Sequence, residues 1–566
     1  MKEKSKFYLS FSESQREPSQ NEIVIFPDDV TWNDFGYRIR CHLKIGLINN
    51  TNISYKESFN GNILLGFVHN EEYNKRDPLK INKDHPTNFS RNELMNLLYL
   101  LLKKNSENSM IREDELDFFT MLPDMQSYRK FISHFGTELA NELLLFLNDL
   151  VVKKQKNEYS DWLESAIDTQ VFKLGFMRNS EPFFAYHNAD SILNGLEEER
   201  FDKISNKLNL SFKLNSFQTP HNITLKYEHK SLIPKRINIL IGKNGLGKSQ
   251  ALKMFCRSAL RYKNEEKFLV DENSDNGRPM INRLLAIGTP GETSNTFPAE
   301  RISTQKLYYR RLNLTRNGKT KTSRGTIELL VQLARSEEYI GNEDRWSIFL
   351  QSLDKAFGID NIVLQLKDGS HCSIDKLQKR NIGEQNRLEL LSNLNYKSEP
   401  AFAYDDNYYP LSSGQLTFFK FALLSSLYIE NGSFVLMDEP ETHLHPNLIS
   451  DFIDLLDFLL EKTGSYALLA THSAYLVREV SREQVHVFKV DEEKNISVVP
   501  PRLRTFGANV DRISEFVFGD DIENRLTDKI IARVSQRSFE SIDEEIGNEI
   551  SLPSLMAIKR HIKKSN

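Results

Sequence analysis

The chain has 566 residues, too many for one hydrophobic core, so roughly two to four domains are expected. With 39% hydrophobic residues, 27% charged residues and a mean hydropathy of −0.48, it has the balance of a water-soluble folded protein. The formal net charge of −4 excludes a chain drawn onto nucleic acid or membrane by bulk charge; any such contact needs a local patch.

Three β-like stretches open the chain, at 22–26, 37–45 and 62–68. The middle one alternates apolar and polar residues, as an antiparallel strand with one wet face does. Residues 92–102 switch to helical spacing, and helices are expected to dominate to about 201. Alternating strands at 208–214 and 223–229 then lead into an apolar strand at 236–241. This order predicts a β lobe, 1–90, resumed at 207 after a helical insertion over 91–206. The lobe runs to 325 and includes a strand at 282–287. Helices at 326–334 and 345–357 define an enlarged helical lobe, 326–405. An α/β segment follows over 406–510, with a hairpin or loop at 491–501, and a charged, helical tail over 511–566. Cys41, Cys256 and Cys372 are far apart and lack metal-ligand spacing, which suits a reducing cytoplasm. Met1 to Lys6 leads into no long apolar run, so no secretory leader is expected. Apolar runs such as 97–102 fall far short of the ~20 residues a membrane helix requires.

The strand at 236–241 runs into Gly242-Lys-Asn244-Gly245-Leu-Gly247-Lys248-Ser249, which fits G-x-x-x-x-G-K-[ST] without a mismatch. A helix beginning near Gln250 follows. Such a loop turns backbone N–H groups inward, and the helix start adds the positive end of its dipole. The pattern predicts ATP and Mg²⁺ as cofactors. Gly242, Asn244, Gly245, Gly247 and Gln250 would line the phosphate cradle, Lys248 would reach the β/γ-phosphates, and Ser249 would ligate Mg²⁺.

Three further motifs come in a fixed order. Leu411-Ser412-Ser413-Gly414-Gln415 precedes a helix; Phe434 to Asp438-Glu439-Pro440 is an apolar strand ending in two carboxylates; Tyr466 to Thr471-His472 is an apolar strand ending in a histidine. Asp438 is a candidate Mg²⁺ ligand beside Ser249, Glu439 a candidate general base, and His472 a candidate contact to the γ-phosphate and the attacking water. Ser412, Ser413, Gly414 and Gln415 sit at a helix start, where they offer an anion site or simply a cap. His443 and His445 tempt a metal reading, but a structural one fits their setting better.

The four motifs in this order resemble ABC-type ATPases, in the soluble branch with SMC-like repair and OLD-type proteins. The resemblance implies an α/β fold, an ABC-type P-loop ATPase head with a mixed core sheet, an antiparallel β lobe and helical insertions. It also implies head-to-tail homodimers, or higher assemblies, with Ser412 of one copy closing over nucleotide held by the other. Two departures stand out. ABC ATPases place a glutamine after the strand following the glycine loop, whereas here none arrives before Gln305; Thr289, Thr293 or Ser294 is the expected substitute. Ser413 stands where a glycine is commoner. No heptad array predicts a coiled-coil arm, and the tail beyond Val510 is shorter than the nuclease domain of OLD-type proteins.

Local phrases at 32–37, 295–298, 505–510 and 516–519 are similar to the ATPase subunit of Septu-type anti-phage systems, including retron-attached ones. That resemblance implies an HNH nuclease partner and, in retron versions, a reverse transcriptase with its RNA–DNA product. A DNA-repair ATPase and a nucleotide-stabilised scaffold remain open alternatives. The basic stretch 306–324, with Lys306, Arg310, Arg311, Arg316, Lys319, Lys321, Arg324 and two tyrosines, is the candidate nucleic-acid contact. A solvated hairpin is its plainer reading.

Overall fold

The computed structural model describes residues 7–12, 14–28, 40–48, 56–67, 118–156, 161–169, 171–196, 203–274, 276–288, 293–300, 306–314, 325–336, 338–341, 343–377, 384–405, 407–518, and short stretches within 533–562. The expected helix at 92–102 and the phrase at 32–37 lie outside them.

The first five strands form one sheet in chain order: β1 (Tyr8–Phe11), β2 (Glu22–Pro27), β3 (Arg40–Ile48), β4 (Lys56–Phe67) and β5 (Phe118–Met121). β5 falls inside the span read as helical. Its four residues are all buried and pair antiparallel with 64–67 of β4. A short apolar run buried on both faces has no period to mark it as strand or helix. Helices do dominate after it. The helix Met125–Phe135 buries Met125, Tyr128, Phe131, Ile132 and Phe135, one face at helical spacing. Asp124 caps it by accepting from the Ser127 amide at 2.7 Å.

β6 (Lys207–Phe212) and β7 (His221–Lys226) form a hairpin; β8 (Ile237–Gly242) follows in a different sheet, and β9 (Leu269–Asp271) pairs with β6. The strands flanking the helical span therefore do not share a ladder as one split lobe would. β5 takes the edge of the first sheet beyond β4, and the two sheets meet through one hydrophobic core.

The central sheet has seven strands. β10 (Arg283–Gly288) and β11 (Tyr308–Asn313) lie at one side; after the small pair β12 (Tyr339–Ile340) and β13 (Glu343–Asp344), the chain forms β14 (Ile362–Gln365), β15 (His371–Ser373), β16 (Ala401–Tyr404) and β17 (Asn407–Pro410) in a separate antiparallel sheet. It then returns for β18 (Ser433–Asp438), β19 (Tyr466–Thr471), β20 (Val485–Val490) and β21 (Ile496–Val499). The order is β11-β10-β18-β19-β8-β20-β21, with every pairing parallel except the β20–β21 hairpin. Alternate residues of these strands feed two cores: Leu240, Leu436 and Leu468 point to one, Ile239, Val435 and Leu469 to the other. Covering both faces is why the strands read as unbroken apolar runs.

The region 326–405 holds the expected helices Thr326–Ala334 and Arg345–Phe357, but also the four-stranded sheet β14–β17, so it is mixed rather than helical. Beyond it the helix Ser413–Tyr428 is apolar on nearly all sides and buried along its length. At its end Glu430 is 2% exposed and accepts from Arg129 at 2.8 Å and Arg345 at 3.0 Å, both guanidiniums being buried. Burial pushes the Glu430 carboxyl up, but Arg129, Arg345 and Arg283 outweigh it and hold it at about 2. This knot ties the first helical span to the helix leading away from Ser412.

Candidate nucleotide site

Six parallel strands present their C-terminal ends along one edge. In an open α/β sheet that edge is where ligands bind. Registers Thr471↔Ile241, Asp438↔Ala470 and Gly288↔Asp438 bring the ends of β8, β19, β18 and β10 side by side. β19, which leads to His472, lies between the strand of the glycine loop and the strand of the two carboxylates.

The loop after β8 leads into the helix Lys248–Ala259. Gly245 and Gly247 have φ of 80° and 97°, a region glycine enters without steric cost. At Gly247 a Cβ would also stand 2.9 Å from Leu214 Cδ1 and 3.0 Å from His221 Nε2. His221, on β7, braces the loop: its ring stacks on Phe212 and its Nε2 donates to Leu246 O at 3.0 Å. Burial holds it neutral by lowering its pKa. Nothing but strand alternation marks His221 in the sequence.

Lys248 folds back over the loop, donating to Gly242 O at 2.9 Å and Lys243 O at 3.1 Å. Burial pulls its ammonium down to about 8, against Glu439, Asp438 and Glu441, which pull it up. Ser249 Oγ donates to Asp438 Oδ1 at 3.0 Å. The other carboxylate oxygen, Oδ2, accepts from Thr296 Oγ1 at 2.6 Å. Thr296 is buried at the end of the short helix Thr293–Thr296 after β10. It thus stands in the segment searched for a glutamine substitute. Thr289 and the side chains of Thr293 and Ser294 lie outside the described residues.

Glu439 adopts a left-handed conformation, φ 48° and ψ 54°, and its amide donates to Ala470 O at 2.9 Å. A non-glycine residue held there costs on the order of 1–3 kcal/mol and persists only where its surroundings fix it. Its Oε1 is 3.3 Å from His472 Nε2. Burial, and then the Lys248 ammonium, push His472 below its ordinary pKa, so the ring is neutral at neutral pH. Glu441 was missed by sequence reading. Its Oε1 accepts from the Thr471 hydroxyl at 2.5 Å and the His472 amide at 3.0 Å, pinning the end of β19. Its Oε2 is buried with no partner among the described residues, and burial raises its pKa.

At the helix Ser413–Tyr428, Ser412 is the N-cap. Its hydroxyl accepts from the Gln415 amide at 3.3 Å, and Gln415 Oε1 accepts from the Ser412 amide at 3.0 Å. This is a full capping box. Ser412 and Ser413 are exposed, while Gly414 is buried.

Residues 399–478, spanning the Leu411–Gln415 motif, the carboxylate strand and the histidine, match the family described as "AAA domain, putative AbiEii toxin, Type IV TA system". The fold is that of an ABC-type P-loop ATPase head. Over 474 residues this chain is 23% identical to Protein ea59 of Escherichia phage lambda, covering 79% of this chain and 83% of that protein. Among solved structures, the SMC head domain from Thermotoga maritima aligns with 52% of this chain and 98% of its own at 12% identity and a TM-score of 0.27. The cbiO1 protein of Clostridium perfringens, part of the ABC transporter complex cbiONQ, aligns with 58% of this chain and 94% of its own at 14% identity and a TM-score of 0.27. The strand order and the polar strand ends described above carry that fold.

The basic stretch departs from its sequence reading. Arg310 pairs with Glu300 at 3.1 Å, and the Arg311 amide donates to the same carboxylate at 2.7 Å. Tyr309 is 3% exposed and donates to Pro298 O, so it is no platform for a base. β11 belongs to the core sheet, where Tyr309 is buried and Arg310 and Arg311 are half-buried; Arg316, Lys319, Lys321 and Arg324 lie outside the described residues. Among the described residues no group of three or more His, Cys, Asp and Glu is gathered as a metal site, and no described helix is long and apolar enough to cross a membrane.

Proposed function

We propose that this protein is an ATPase whose two copies close around shared nucleotide and thereby control a partner effector, a nuclease, in bacterial anti-phage defence. The observation that carries the ATPase part is the Ser249–Asp438 contact at the mouth of the glycine loop, with Glu439 and His472 beside it. The residues fit the group. Glycine keeps the loop open where a Cβ would collide, and the Ser249 hydroxyl and Asp438 carboxylate are hard oxygen donors of the kind Mg²⁺ takes. Bound Mg²⁺ neutralises charge on phosphate oxygens.

In this reading Lys248 exchanges its two loop carbonyls for phosphate oxygens, and Gly242, Asn244, Gly245, Gly247 and Gln250 surround them. Ser249 and Asp438 would hold the metal, with Thr296 fixing the Asp438 rotamer. Glu439 takes the proton of the attacking water. Neutral His472 donates to Glu439 and orients it. Ser412, Ser413, Gly414 and Gln415, at a helix start already capped, supply the closing surface from the second copy. A clamp of this kind changes state for a few kcal/mol, the scale of contacts made only before hydrolysis.

The effector part rests on the anti-phage resemblance. The test is affinity purification of the tagged Glu439→Gln chain from its native operon with Mg-ATP. An HNH nuclease in fixed ratio, with a reverse transcriptase in a retron version, is expected. Recovery of neither, together with hydrolysis stimulated by duplex DNA alone, would favour a DNA-repair ATPase.

A further inference from the structure

A second cavity, of about 340 Å³, lies at the far end of the helix Lys248–Ala259. Twelve residues at 1.5 Å each put it ~18 Å from the glycine loop, beyond reach of nucleotide phosphates bound there. Its floor is apolar, with the buried Leu269 and Leu307. Among the described residues, its polar wall carries four cations, Arg261, Lys267, Arg278 and Lys306, against the single carboxylate of Glu266.

Arg278 is the pivotal group. Its guanidinium lies 3.8 Å over the Phe183 ring and donates to Met177 O at 3.1 Å, which fixes its plane. Among the described residues no carboxylate pairs with Arg278, Arg261 or Lys267, whereas nearby Arg257 is bridged to Glu265. Burial and the neighbouring Arg261 pull Arg278 down to about 10. Two unpaired arginines that repel each other at a cavity wall form a site short of an anion. Arginine forks match phosphate, and the apolar floor of Leu269 and Leu307 suits a ring. The volume falls at the small end of the ~300–1,000 Å³ typical of ligand pockets.

We propose that this cavity binds a phosphorylated, ring-bearing ligand of mononucleotide size, either a free nucleoside monophosphate or the 5′-phosphorylated end of a strand. The proposal is independent of hydrolysis at the glycine loop. It also relocates nucleic-acid contact from the β11 arginines, whose guanidiniums bond to Glu300 and Phe297 O, to a pocket that shares only Lys306 and Leu307 with that stretch.

The test uses the full chain with ADP saturating the first site and fluorescence anisotropy of 3′-labelled oligo(dT), with either a 5′-phosphate or a 5′-hydroxyl. Unlabelled dTMP is titrated separately by calorimetry. If strands are the ligand, the 5′-phosphate form binds about tenfold tighter than the hydroxyl form; if the free nucleotide is, dTMP binds alone. Arg261→Asn, at an exposed position with φ of 57° that asparagine tolerates, weakens whichever is bound by about tenfold and leaves ADP affinity unchanged. Arg278→Met does the same, with folding followed by circular dichroism. The proposal is overturned if neither dTMP nor the 5′-phosphorylated strand binds, or if Arg261→Asn binds them as tightly as the natural chain. Failure of ADP to bind would instead count against the glycine-loop reading.

Discussion

Glu439 and His472 face each other across 3.3 Å, from the ends of two adjacent parallel strands. One is held in a left-handed turn, and the other follows a strand end pinned by Glu441. Neither can drift without breaking a backbone contact. Glu439→Gln keeps the shape and removes the base. Phosphate release in steady state should fall at least about a hundredfold, the usual contribution of a positioned base, while ATP binding persists. Unchanged turnover would remove Glu439 from that role.

Thr296 holds the Asp438 oxygen that Ser249 does not. Thr296→Val should weaken Mg-dependent nucleotide affinity about ten- to a hundredfold, as loss of a supporting hydrogen bond does at metal sites, whereas Thr296→Ser should restore it. Titration of a fluorescent ATP analogue with and without Mg²⁺ measures both. Equal loss in the metal-free titration would mean that Thr296 supports the fold alone.

Lys248 starts with its ammonium pulled down to about 8 by burial. Phosphate anions at its side favour the charged form, so its pKa rises on binding. Nucleotide binding at pH 8.5 should therefore take up protons, and binding at pH 6.5 should not take them up at Lys248. Calorimetry in buffers of different ionisation enthalpy reads this directly. Lys248→Ala should abolish tight binding and the uptake together.

Glu430 is the stability prediction. Removing its charge takes the buried carboxylate away from Arg129 and leaves Arg345 only the half-exposed Glu338, so Glu430→Ala should cost about 3–5 kcal/mol. Because the folded carboxyl sits at about 2, below its ordinary value of 4.5, its stabilisation is complete above pH 4.5. It is lost as the pH falls from there through 2. Denaturant unfolding at pH 7 and pH 3.5 should show the variant's deficit shrinking at the lower pH.

Much of the site was legible because its chemistry sits at strand ends, where a run of apolar residues stops at a polar one. Gly242 to Ser249, Asp438-Glu439 and His472 all have that form. Thr296 did not, because its contact with Asp438 depends on a four-residue helix and on β10 lying beside β18, neither of which leaves a local pattern. Glu441 and His221 act on backbone groups of other segments, which sequence spacing does not reveal. In the fold, β5 and β14–β17 escaped because strands of three or four residues are too short to show a period. Helices with caps and a clear apolar face, such as Arg345–Phe357, did not escape.

The most direct test of shared nucleotide sites is a cross-link between copies. Asn244 and Ser413 are exposed, while Cys41, Cys256 and Cys372 are all buried. One preparation carries Glu439→Gln with Asn244→Cys, the other Glu439→Gln with Ser413→Cys, and the two are mixed with a short thiol cross-linker. With Mg-ATP, a covalent dimer joining 244 of one copy to 413 of the other should form, and with ADP or no nucleotide it should not. Absence of that product with Mg-ATP, or its equal formation without nucleotide, would contradict closure around a shared triphosphate.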